Sequence, residues 1–269
     1  MVKAASQKMS NKRAGRTTGR KANRIAVPPE KSTAASDGRS QSSKQAERVA
    51  IPEIDMELVQ IPIRGIDGPL VVHNWSEKAI RDMLAKQMQI RVVAKQAKSP
   101  EEEYKASLYV AEDGSYGFPA CAFKAAMVRA AKDLEGWDMI TMRQLVFVVP
   151  DCRENRTITI PTPNGQKPLM HEVKTDLVRL IGTPRMRMDL VRLQKQTADI
   201  RFRGEFDKWE AVLTIRYRAG RIRAQEIANL VNLAGTVGIG EGRPEKSADM
   251  GWGRFEVDTG STRNRRSKR

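Results

Sequence analysis

Charge and apolar residues are spread so unevenly along this 269-residue chain that only its middle is suited to folding. Residues 1–50 hold twelve Lys and Arg against three acids, and few large apolar side chains. Such a stretch buries too little surface to offset the entropy of ordering it, so a disordered basic arm is expected over 1–50. The last ten residues, GSTRNRRSKR (260–269), carry five more cations and no acid, and read as a basic tail. Residues 51–259 keep thirty-one basic and twenty-nine acidic residues, almost in balance, with enough apolar sequence for one large domain. The formal net charge of +16 thus resides mostly in the two ends, and it points to an anionic partner.

Several classes drop out early. Cys121 and Cys152 are too few for a disulfide framework and suit a reducing compartment. With only His73 and His171 beside them, no four-ligand zinc site can be drawn, and no metal or other cofactor is expected. No apolar run reaches the 18 or so residues of a membrane span, and the polar, basic start, without an apolar stretch behind it, is not expected to be a secretory leader. The expected setting is the cytoplasm, with an organelle transit sequence as a weaker reading of the Arg- and Ser-rich start.

Order should begin near Ile51. Glu57–Ile63 reads as a strand, with Pro62 placing it at an edge or a strand end. Ser76 opens a helix carrying Ala79, Ile80, Met83, Leu84 and Met88 on one side. A loop at Ser99-Pro100 precedes a short strand, Ala106–Val110, and a turn at Asp113-Gly114. Pro119 starts an Ala-rich helix, Cys121–Leu134, ended by Gly136. Leu145–Val149 and Arg156–Ile160 read as paired strands, with a turn over Pro161–Gly165. Glu172–Ile181 has a helical reading, and 182–198 stays ambiguous. Ile200–Arg203 and Lys208–Arg218 form an apparent hairpin. In its second strand Trp209, Ala211, Leu213, Ile215 and Tyr217 alternate with polar neighbours. A helix over Ala224–Ala234, a glycine-rich stretch and a last strand, Arg254–Val257, complete the pattern. The order β-α-β-β-α-β, with insertions, is that of a ferredoxin-like α+β core, whose free sheet face RNA-recognition modules use to hold single strands.

The stretch GTVGIGEGRP (235–244) has the glycine spacing of a phosphate cradle in the wrong setting. A dinucleotide fingerprint needs a strand before it and a helix after; here the order is reversed. A P-loop needs Gly immediately before Lys-Ser, but Glu245 precedes Lys246-Ser247. Two readings remain: a loop whose backbone approaches a polyanion beside Arg243, Lys246 and Arg254, or a flexible crossover.

Leu230–Val257, a helix followed by VGIGEGRPEKSADMGWGRFEV, resembles the C-terminal signature of the RAMP superfamily (repeat-associated mysterious proteins). That superfamily includes backbone subunits of CRISPR effector complexes. GFPACAFKAAMVR (117–129) is similar to the family's Pro-initiated first helix, with Lys124 and Arg129 in place. This chain departs in having Ala-Cys-Ala where Gly-Ser-Ser usually follows the Pro, and no catalytic His of the family's nucleases can be placed. The resemblance covers under half of the chain. It implies backbone-directed binding of single strands by subunits stacked head to tail, in a CRISPR system or in a stand-alone, phage-encoded relative.

The expected partner is therefore single-stranded RNA or DNA, bound without catalysis by a homo-oligomer. Two alternatives stand beside it: a phage structural or assembly protein whose arms grip nucleic acid, and a RAMP-type endoribonuclease. The expected binding residues begin with Lys12, Arg13, Arg16, Arg20, Lys21 and Arg24 of the arm. In the core they are Lys124, Arg129, Arg201, Arg203, Arg216, Arg218, Gly238, Gly240, Gly242, Arg243, Lys246, Trp252 and Arg254. Guanidinium groups hold phosphates and stack on bases, and Trp252 is the expected stacking aromatic. Cys121 is expected to be a buried core residue, and His73 a hydrogen-bonded structural one.

Overall fold

The computed structural model describes residues 53–90, 97–160, 162, 169–192, 198–247 and 250–260. The arm expected over 1–50 lies outside them, as do all of the tail but Gly260 and most of the turn at 161–165. Ten strands and five α-helices occupy the described residues, in three antiparallel sheets, so the chain is a mixed α+β protein.

The main sheet has four strands in the order β10-β1-β9-β4. They are β1 (Met56–Ile66), β4 (Val146–Val149), β9 (Glu210–Arg218) and β10 (Arg254–Val257). Each neighbouring pair is antiparallel, with Leu213 opposite Ile61, Ile215 opposite Val148 and Phe255 opposite Gly65. Strict alternation in β9 puts Trp209, Ala211, Leu213, Ile215 and Tyr217 into the core and leaves Val212, Arg216 and Arg218 exposed, as the pattern predicts. The helices α3 (Ala120–Ala130) and α5 (Ala224–Val237) pack against each other. Their inward residues Phe123, Ala126, Ile227, Leu230 and Ala234 join the cluster built by Ile61, Ile63 and Leu213. Each of the large ones, Phe, Ile or Leu, is worth about 1.5–3 kcal/mol when fully buried. Aromatics are few but run as a string through this core: Phe118, Phe123, Phe255 and Trp209 meet edge to face at 6.0–6.2 Å.

The second sheet is β2 (Leu70–Val72), β8 (Ala198–Phe206) and β7 (Arg185–Arg192), in the order β2-β8-β7. The third joins β3 (Gly117–Pro119), β6 (Leu169–Arg179) and β5 (Cys152–Ile160), in the order β3-β6-β5. The remaining helices are α1 (Glu77–Gln87), α2 (Pro100–Ser107) and α4 (Met139–Leu145). Ser76 caps α1 by accepting from the Ala79 N–H at 3.1 Å, and Asp138 caps α4.

Several expectations are corrected. The strand expected at Ala106–Val110 gives way to the end of α2. Pro100 presets the first helical turn and Glu101, Glu102 and Glu103 complement its dipole, which outweighs the short β-like run. The stretch Glu172–Arg179, expected as part of a helix over Glu172–Ile181, belongs to strand β6, paired with β5 from Leu169 to Leu177 and with β3 from Leu177 to Arg179. Arg156–Ile160 does not pair with Leu145–Val149; β4 adds to the edge of β9 instead. β8 and β9 do not form a hairpin, because β8 pairs with β2 and β7. Consequently Arg201 and Arg203 share no face with Arg216 and Arg218. Pro62 sits in a strand with neighbours on both sides. Its carbonyl accepts from Asp258 N–H, so its donorless nitrogen faces β10 just past the last ladder pair, Ile63–Val257.

Candidate nucleic-acid interface

The glycine-rich segment is a loop folded back on itself. Gly238 ends α5 with a φ of 75°, and the Ile239 N–H donates to Gly253 O at 3.0 Å, closing the neck. At Gly240 (φ 77°) the chain passes so near β2 that a Cβ would lie 2.6 Å from Val71 O, which a side chain cannot accommodate. The next N–H, of Glu241, donates to that same Val71 O at 3.0 Å. The amides of Gly238, Ile239 and Glu241 are therefore spent within the protein. The loop offers side chains to a ligand more than a cradle of N–H groups.

Three adjoining clefts run beside it. The first, between α4 and α3, is about 290 Å³ and lined by Cys121, Lys124, Ala125, Val128, Arg129, Met139 and Arg143. It carries three cations and no acid. Ala125 and Arg129 also line the second, about 180 Å³, with His73, Tyr109, Phe118, Ala122, residues 238–241 and Arg243. Glu241 and Arg243 in turn belong to the third, about 330 Å³, together with Asp189, Arg201, Arg203, Gly242, Lys246 and Trp252. The furrow so formed has seven Lys and Arg against two acids, Asp189 and Glu241.

Its cations are held in different ways. Arg129 and Arg243 are bridged by Glu245, whose oxygens lie 2.7 and 3.1 Å from their Nε atoms, so α3 and the loop are locked together with one charge in excess. Arg203 is buried and 3.5 Å from Asp189, while its Nε has no hydrogen-bond partner. Arg201 pairs with Asp199 at 3.4 Å. Lys124 has no carboxylate partner among the described residues; its ammonium sits 4.3 Å from the centre of the Phe147 ring, and burial lowers its pKa. Glu241 is pulled down to about 2, first by its contact with His73 (3.6 Å), against opposing burial, with Arg203 and Arg243 adding to the effect. Burial raises Tyr109 to about 12, and burial with Asp151 beside it raises Cys152 to about 11.

The structure thus brings Lys124, Arg129, Arg201, Arg203, Gly238, Gly240, Gly242, Arg243, Lys246 and Trp252 into one furrow. Arg216 and Arg218 are exposed on the main sheet and line none of the three clefts, although Arg216 is 5.7 Å from the Phe147 ring that Lys124 also approaches. Arg254 is tied to Asp67 at 2.9 Å and lines none of the three clefts. Trp252 is half-buried, with the Arg187 guanidinium 4.1 Å from its ring centre. Cys121 is exposed, not in the core, because it lies on the side of α3 turned from the sheet. Lys12, Arg13, Arg16, Arg20, Lys21 and Arg24 lie outside the described residues.

No known protein-family model matches this chain, and no curated protein does. Among solved structures it is similar in part to Cmr6 from Pyrococcus furiosus, at 12% identity and a TM-score of 0.34. That match covers 77% of this chain and 100% of that one. It is also similar to a chain in the Type III-B Cmr-beta complex bound to cognate target RNA, at 8% identity and a TM-score of 0.35. Here 74% of this chain and 59% of the other are covered. Likeness at that level assigns no family.

Sequence reasoning did not single out Arg143 or Trp75; Arg187 belongs to the stretch Arg185–Lys195, which it offers as a second, weaker candidate for phosphate contact. Arg143 is brought to Lys124 by α4, a helix the sequence pattern did not show. No helix of the described residues is long and apolar enough to cross a membrane, and they contain no group of three His, Cys, Asp or Glu placed to share a metal.

Proposed function

We propose that this protein binds single-stranded RNA or DNA without altering it, laying the backbone along the furrow from α4 past α3 to the glycine-rich loop. The observation that carries this reading is the chain of three clefts that share lining residues and hold seven cations against two acids. A polyanion gains most where several cations lie in a row, since each phosphate neutralised releases condensed counterions. In support of binding without chemistry, burial pushes the Cys152 thiol up to about 11, away from a nucleophilic thiolate.

The same reading takes β1, α3, β4, β9, α5 and β10 as a ferredoxin-like unit. The spatial order β10-β1-β9-β4 supports it, being fourth, first, third and second among those four strands. The glycine-bearing loop then follows the second helix of the unit, where a RAMP-like protein would carry it. Several copies on one strand would make a coat, with the basic ends adding sequence-blind attraction.

Charge reversal tests the furrow. Lys124→Glu with Arg143→Glu changes two cations that have no carboxylate partner among the described residues, so folding should survive. Affinity for a single-stranded oligonucleotide should fall, and the slope of log K against log salt should shrink by about 0.7 for each phosphate no longer neutralised. Lys208→Glu, outside the furrow, should show the milder effect of net charge alone. Equal losses for the two variants would remove the furrow from the binding site.

A further inference from the structure

Trp75 is a large aromatic with 54% of its surface in water, and its mount is more rigid than an exposed loop residue requires. It follows Asn74, which is buried. The Asn74 amide donates to Leu108 O at 3.2 Å and to both oxygens of buried Glu154, while its Oδ1 accepts from the Trp75 N–H at 2.9 Å. Arg156 closes the other side, donating from Nη1 to Trp75 O at 2.7 Å and from Nη2 to Asn74 Oδ1 at 3.1 Å. One residue later Ser76 caps α1. The backbone of Trp75 is thus fixed from both sides.

The ring itself has a neighbour on the furrow. His73 stacks on it, with centroids 5.9 Å apart and planes 29° apart, and His73 lines the same cleft as Arg129 and Arg243. An exposed, pre-positioned aromatic costs the folded state apolar surface that burial would have used. A flat π-system beside guanidinium groups fits one ligand chemistry well, a ring attached to a phosphate.

We infer that Trp75, backed by His73, is a stacking platform for an unpaired base of the strand whose phosphates lie along Arg129 and Arg243. This rests on the furrow's being the binding site, and it adds an interaction that phosphates cannot supply. Trp252, with Arg187 over its ring, is less open to a base.

The test compares two strands of equal length and charge, one with pyrimidine bases and one abasic, binding to the full chain at fixed salt. Wild type should prefer the base-bearing strand by about five- to hundredfold. Trp75→Ala should lose most of that preference while holding the abasic strand as before, and Trp75→Phe should restore much of it. A Trp75→Ala protein that keeps the full preference would overturn the inference, as would a wild type that binds both strands equally well. A wild type that binds neither strand would sink the furrow reading along with it.

Discussion

Asn74 grips both carboxylate oxygens of Glu154, at 3.0 and 3.1 Å, where both residues are almost removed from water. The pairing joins the segment before α1 to strand β5 across 80 residues of sequence. Replacing Asn74 by Leu leaves a buried carboxylate with Arg156, 3.5 Å away, as its one partner among the described residues, and should cost about 2–4 kcal/mol in urea unfolding. Adding Glu154→Leu should recover part of that loss, since the unpaired charge disappears. A single Asn74→Leu variant as stable as wild type would show that water enters to solvate Glu154.

Two glycines in ordinary backbone conformations should behave in opposite ways. Gly235 lies on α5, where an added methyl would run into the Phe255 carbonyl, so Gly235→Ala must push the helix off β10. A loss of about 2–4 kcal/mol is expected. Gly220, in the turn after β9, faces open space, and Gly220→Ala should be neutral or stabilise by up to about 1 kcal/mol by restricting the unfolded chain. Thermal melts of the two variants read the contrast directly.

Acid should weaken the loop through Glu241. Its folded pKa is depressed to about 2 from an ordinary value of 4.5, so the stability it contributes is complete above 4.5 and drains away as pH falls towards 2. Because 44% of the side chain sees water, the contribution is discounted to about 1 kcal/mol. Glu241→Gln should lower stability at pH 7 by that amount and flatten the decline between pH 4.5 and 2. Parallel pH profiles for the variant and wild type would place the acid sensitivity elsewhere.

Salt should separate the ends from the middle. Residues 1–50 and 260–269 hold seventeen of the 48 Lys and Arg. A chain trimmed to 51–259 should therefore bind single strands with a much shallower dependence on salt, at about 0.7 per phosphate that the middle still neutralises. Identical slopes for the full and trimmed chains would assign the electrostatic attraction to the furrow alone.

The parts legible in the sequence are those where one face is buried and the other wet. In β9 the alternation from Trp209 to Tyr217 marks both the strand and its inward side, and α5 shows Ile227, Leu230, Val231 and Ala234 at helical spacing. β6 misleads because most of Leu169–Asp176 is exposed on both faces, so no period-two signal marks it. Nearness in sequence suggests β9 as the partner of β8, while its actual partners are β2 and β7. Of the site, Lys124, Arg129 and Arg243 stand out by type and spacing. Arg143 is hidden by a helix without a sequence signal, and Trp75 by a buried hydrogen-bond network that only folding assembles.

The furrow draws Lys124 and Arg143 from one stretch of chain, Arg201 and Arg203 from another, and Arg243 and Lys246 from a third. No excised peptide or half-length piece can reproduce that row of charges. Ligand affinity in this molecule is then a gauge of how much of the population is native, and any lesion that unseats the loop from β2 would silence recognition even with every ligand-facing residue intact.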